Sequence, residues 1–90
     1  MENQATVGVI GFGNMGAAIA QRLKGKYKVF VFDKDREKLS KESGLTVLES
    51  VREVIAASHS CIIAVKPQDL DGVLDEFAGR TDGKVVISIA

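Results

Sequence analysis

Thr6-Val7-Gly8-Val9-Ile10-Gly11-Phe12-Gly13-Asn14-Met15-Gly16 is a short apolar run leading directly into three glycines spaced G-x-G-x-x-G. The run predicts a buried strand, and the glycines predict a tight turn into a helix that starts near Asn14. A turn of this kind aims the backbone N–H groups of the helix start at an anion, and the spacing suits the pyrophosphate of a dinucleotide. Gly11 allows the turn, Gly13 leaves phosphates room where any other residue carries a Cβ, and Gly16 lets the helix lie close to the strand. The same letters also describe an ordinary strand-to-helix turn that binds nothing, so the flanking sequence has to decide.

Downstream, Met15, Ile19 and Leu23 recur every four residues among good helix formers, which predicts an amphipathic helix ending near Gly25. Tyr27 to Phe32 is aromatic and β-branched, a second strand closing on Asp33. Asp33 lies 22 positions beyond Gly11, where a strand–helix–strand nucleotide unit places the carboxylate that accepts hydrogen bonds from the adenosine ribose. Asp33 also fits a plain strand-end turn.

The charged run from Lys34 contains a helix start, with Leu39 as its apolar contact and Gly44 as its stop. Leu45 to Leu48 is a brief third strand, and Ser50-Val51-Arg52-Glu53 is a capping box opening a helix whose apolar face carries Val51, Val54 and Ile55. Ser60 to Val65 is nearly continuously apolar, as a parallel strand covered on both faces should be. Lys66-Pro67-Gln68 breaks it, Leu70, Val73, Leu74 and Phe77 mark a fourth helix, and Lys84 to Ala90 is a fifth strand. This alternation predicts an α/β fold: a Rossmann-like, doubly wound parallel sheet of five strands in the order 3-2-1-4-5. The ligand crevice then falls between the carboxyl ends of strands one and four, with Gly11-Phe12-Gly13 facing Val65-Lys66-Pro67.

The bulk numbers exclude several classes. Ninety residues, 46% apolar and 27% charged, make one globular unit with a real core. Twelve basic and twelve acidic side chains cancel, which removes the electrostatic case for nucleic acid or an anionic membrane as partner. No apolar segment reaches spanning length and the chain start is not a basic leader, so the expected setting is cytoplasmic. Cys61 is the single cysteine, and neither a disulfide nor a zinc-spaced cluster is expected.

Three pieces resemble the pyrroline-5-carboxylate reductase family: Gly11-Phe12-Gly13-Asn14-Met15-Gly16, Ala64-Val65-Lys66-Pro67-Gln68 and Ile87-Ser88-Ile89-Ala90. The first is shared with 3-hydroxyacid and 6-phosphogluconate dehydrogenases, and the second discriminates. The resemblance implies that residues 1–90 are the dinucleotide-binding domain of an oxidoreductase that reduces a cyclic imine acid to proline with NAD(P)H. It further implies a helical carboxyl-terminal dimerisation and substrate domain outside these residues, and a chain that binds cofactor but hardly turns over alone. The implied cofactor contacts are Gly11, Phe12, Gly13, Asn14, Met15, Gly16, Asp33, Lys34, Ala64, Val65, Lys66 and Pro67, with no catalytic side chain and no metal ligand among them. Many members of the family use NADPH, whereas a carboxylate at position 33 repels a 2′-phosphate and favours NADH; Lys34 and Arg36 keep NADPH open.

Each of these signals has a plainer counterpart. Lys66-Pro67 also suits a helix start with a solvated neighbour, and nothing beside Lys66 in the sequence equips it as a proton donor. His59 and Cys61 read as structural, so the chemistry would belong to the cofactor. A hydroxyacid dehydrogenase-like domain and a non-catalytic nucleotide-sensing module are the competing functions. The last strand, rich in β-formers, is expected to be an open edge inviting self-association.

Overall fold

In the computed structural model, which describes residues 5–35, 39, 44–79 and 85–89, five parallel strands form one sheet in the order β3-β2-β1-β4-β5. The strands are β1 (Thr6–Ile10), β2 (Lys28–Phe32), β3 (Thr46–Val47), β4 (Ser60–Ile63) and β5 (Val85–Ser88). The helices are α1 (Asn14–Leu23), α2 (Val51–Ala57) and α3 (Pro67–Phe77). The predicted order is the observed one. The helix expected after Asp33 and Lys34 falls largely on residues 36–38 and 40–43, outside the described residues, and Leu39 itself is buried.

β1 is central and is covered on both faces: Val9 and Ile10, on opposite sides of the pleat, are both essentially inaccessible. Val9 joins Phe12, Ala20, Val29, Val31 and Leu39 in one half of the core, with Ala17 and Leu23 of α1 against it. Ile10 joins Val54, Ile55, Cys61, Ile63, Val73 and Phe77 in the other half, under α2 and α3. The sheet thus has a core layer on each face, which is the doubly wound arrangement.

α1 keeps only part of the face its four-residue repeat suggests: Leu23 packs on the core but Met15 does not. Gly16 and Ala20 are the buried residues and Ala17 and Leu23 pack beside them, while Met15 is 59% exposed. Small residues win here because the helix lies too near the sheet for a long side chain at the contact. In α3, Val73 and Phe77 are buried as expected, but Leu74 is 44% exposed. α2 starts as its sequence dictates: Ser50 Oγ accepts the Glu53 N–H at 3.1 Å, and Glu53 Oε1 accepts the Glu49 N–H at 2.8 Å, one residue before the position an ideal capping box would use. Arg52 donates to Glu76 Oε1 at 2.5 Å, linking α2 to α3.

β5 is bonded to β4 on one side, yet every one of its residues is exposed, with Val85 at 54% and Ile87 at 48%. A bare apolar strand edge templates pairing with another chain. The expected result is concentration-dependent self-association through β5, read as a rising weight-average mass in sedimentation velocity; one mass at all concentrations would contradict it.

Candidate functional site

The carboxyl ends of β1, β2 and β4 converge on a crevice of about 370 Å³. Gly11 and Gly13 line it from the first loop, Asp33, Lys34 and Asp35 from the end of β2, and Ala64, Val65, Lys66, Gln68 and Asp69 from the loop after β4 and the first turn of α3. Ile10, Phe32, Val51 and Val73 supply apolar wall.

The glycine loop is held in place by backbone bonds. Gly11 has φ +100°, a conformation that disfavours any side chain, and a Cβ there would sit 2.6 Å from the Ala64 carbonyl oxygen. Its N–H donates to the Phe32 carbonyl at 2.8 Å, and Ala64 N–H donates to the Ile10 carbonyl at 2.8 Å, so the loop is fixed to both neighbouring strands. Gly13 is the N-cap of α1, extended at φ −75° and ψ −163°, with no side-chain cap and no acidic residue in the first turn. The helix start is therefore left positive, as an anion site requires. A Cβ added to Gly13 meets nothing within 4 Å, whereas one on Gly16 would fall onto the Gly11 carbonyl oxygen.

Asp33 is 8% exposed. Its Oδ2 accepts the Phe12 N–H at 2.6 Å and its Oδ1 accepts the Asp35 N–H at 2.8 Å. The carboxylate thus clamps the middle of the glycine loop to the end of β2. Two accepted bonds leave lone pairs on both oxygens for further donors. Lys34 Nζ pairs with Asp69 Oδ1 at 2.8 Å. That hydrogen bond and the Asp69 charge raise the Lys34 ammonium above its ordinary pKa, opposed by loss of hydration, with the Asp33 charge adding a lesser upward push.

Of the residues expected from sequence, Gly11, Gly13, Asp33, Lys34, Ala64, Val65 and Lys66 line the crevice together. Phe12 takes part through its N–H while its ring lies in the core. Asn14 and Met15 stand exposed on the first turn of α1, Gly16 is buried behind Gly11, and Pro67 is the first residue of α3 with Lys66 as N-cap. The sequence did not single out Ile10, Phe32, Asp35, Val51, Gln68, Asp69 or Val73 as lining residues. Asp69 had a signal, an acid in the first turn after a Pro-started helix at a binding edge. Gly8 was also passed over, where a Cβ would collide with Val54 Cγ1 and Ser58 Oγ of the α2 segment. Among the described residues no His, Cys, Asp and Glu cluster could hold a metal, and no helix is long and apolar enough to cross a membrane.

A family model described as NADP oxidoreductase, coenzyme F420-dependent, matches residues 6–90. A pyrroline-5-carboxylate reductase of Aquifex aeolicus (strain VF5) is 39% identical over 76 residues, 79% of this chain and 29% of that protein. The chain thus spans under a third of the length of that relative. Among solved structures, an imine reductase variant from Myxococcus stipitatus in complex with NAD+ superposes with a TM-score of 0.85 at 25% identity, over 98% of this chain and 32% of the other. A Plasmodium falciparum pyrroline carboxylate reductase with NADP bound gives 0.80 at 28% identity, over 99% and 34%.

Proposed function

Because the chain belongs to the family described as NADP oxidoreductase, coenzyme F420-dependent, we propose that it is the dinucleotide-binding domain of a pyrroline-5-carboxylate reductase-like oxidoreductase. The whole enzyme would reduce 1-pyrroline-5-carboxylate to proline. One observation carries this reading: the uncapped start of α1 behind Gly13 and the Ala64-Val65-Lys66 loop border one crevice, with Asp33 at its β2 end.

The residues present suit a nicotinamide dinucleotide. The space beside Gly13 is one that a Cβ would enter, and the helix start behind it offers N–H donors and a positive end for pyrophosphate. Asp33 retains acceptor capacity for ribose hydroxyls, and Val65, Lys66 and Pro67 would border the nicotinamide half. When bound, the cofactor supplies the hydride. The chain's own residues bind, orient and, through Ile10, Phe32, Val51 and Val73, give one wall of the crevice an apolar surface. The imine acid would be gripped by the helical domain that the resemblance implies, so these 90 residues are expected to bind cofactor with negligible turnover. A cytoplasmic setting agrees with the use of this cofactor and with the lone buried thiol of Cys61.

Within the cofactor class, the Asp33 carboxylate favours NADH by repelling a 2′-phosphate. Calorimetric titration tests both levels: binding of NADH with the weaker binding of NADPH is expected. Failure of either nucleotide to bind would sink the cofactor reading, and a preference for NADPH would overturn the role given to Asp33.

A further inference from the structure

Lys34 follows β2, and Asp69 is the third residue of α3, which follows β4. The sheet order sets β1 between those two strands, so the ion pair spans the crevice mouth over the end of β1. Both residues line the crevice, with side chains 73% and 28% exposed. An exposed pair of this kind contributes little to fold stability, since solvent screens it. Its position is what matters. Asp33 and Asp35 line the crevice from the β2 side and Asp69 from the α3 side, and the Lys34 ammonium is already held by Asp69.

We propose that Asp69 is a specificity-determining residue that acts against a 2′-phosphorylated nucleotide by holding the Lys34 ammonium across the crevice. The inference rests on the cofactor reading above. A phosphate monoester carries a charge of about −1.5 to −2 at neutral pH and requires a cation where it binds. To use Lys34 it has to take the ammonium from Asp69 and lie beside the carboxylate it displaces. A ribose hydroxyl makes no such demand, and accepts a crevice in which the lysine is already neutralised. Selectivity for the unphosphorylated ribose is thus shared by two carboxylates on separate elements, Asp33 by direct repulsion and Asp69 by sequestering the cation.

The test is calorimetric titration of the 90-residue chain and of the Asp69→Asn, Lys34→Met and doubly substituted variants with NADH and NADPH. Adenosine 2′,5′-bisphosphate and adenosine 5′-monophosphate serve as probes of the same end. Asp69→Asn is expected to raise NADPH affinity relative to NADH by roughly tenfold, the value of one good charge-assisted contact. The two adenosine phosphates should follow the same ratio, and the gain should vanish in the double variant and shrink with added salt. Using the ratio cancels any general effect of losing an acid from the first turn of α3. If the unsubstituted chain binds NADH and the Asp69→Asn ratio is unmoved, or rises equally with Lys34→Met present, this inference is wrong and the cofactor reading stands. If the unsubstituted chain binds neither dinucleotide, both fall.

Discussion

Replacing Gly13 by alanine is expected to cost the chain its dinucleotide affinity, by roughly 100-fold or more, about 2.8 kcal/mol, while leaving the fold intact. The reasoning comes from the empty space around that residue. An added Cβ meets no protein atom within 4 Å, and φ −75° with an extended ψ suits alanine as well as glycine. Alanine is a slightly poorer N-cap, but it also reduces the freedom of the unfolded chain, so the net change should stay within about 1 kcal/mol. What the methyl does occupy is the approach to the first-turn N–H groups of α1. Titration calorimetry with NADH, beside a thermal melt, reads both halves. An unchanged affinity would show that the phosphate does not approach this residue.

Gly16 should give the opposite outcome. Three residues further along, a Cβ would land on the carbonyl oxygen of Gly11, a backbone atom that cannot swing aside because Gly11 is itself anchored through its N–H to Phe32. Gly16→Ala must therefore push α1 off the sheet, and overpacking of this kind costs about 1–3 kcal/mol, here at the upper end. A chain of this length has roughly 5–13 kcal/mol in total, and each kcal/mol moves the melting midpoint of so small a domain by roughly 4–8 °C. A fall of about 12–24 °C is expected in a thermal melt, with affinity lost only as a consequence. A melt like that of the unsubstituted chain would mean that α1 has slack against β1.

The contrast between these two glycines shows what could be read from sequence. The strand-to-helix alternation fixed the sheet order correctly because each strand carried its own apolar run and each helix its own repeat, both local signals. The crevice also followed, since in an open parallel sheet topology alone puts it at the strand order reversal. Packing was less legible. Met15, Ile19 and Leu23 looked like the buried face of α1, whereas Leu23 packs on the core together with Gly16, Ala17 and Ala20 and Met15 stands exposed, because the distance between helix and sheet is decided by both partners. Gly8 passed as an unremarked strand residue, although its missing side chain is what lets α2 approach β1. The Lys34–Asp69 pair joins residues 35 apart, and no spacing rule links them.

The central position of β1 has a consequence for how the molecule is assembled. Its ladder with β4 joins Val7 to Ser60, and Thr6 accepts a hydrogen bond from His59 across 53 residues of chain. Contacts of such separation carry a large loop-closure cost before they return any stability, and they slow folding. The two loops that border the crevice hang from the two strands of that ladder, so the candidate site forms only when this long-range contact closes. A dinucleotide bound as proposed would then act as a late-stage brace: at a hundred times its dissociation constant it would add about 2.7 kcal/mol to the native state alone.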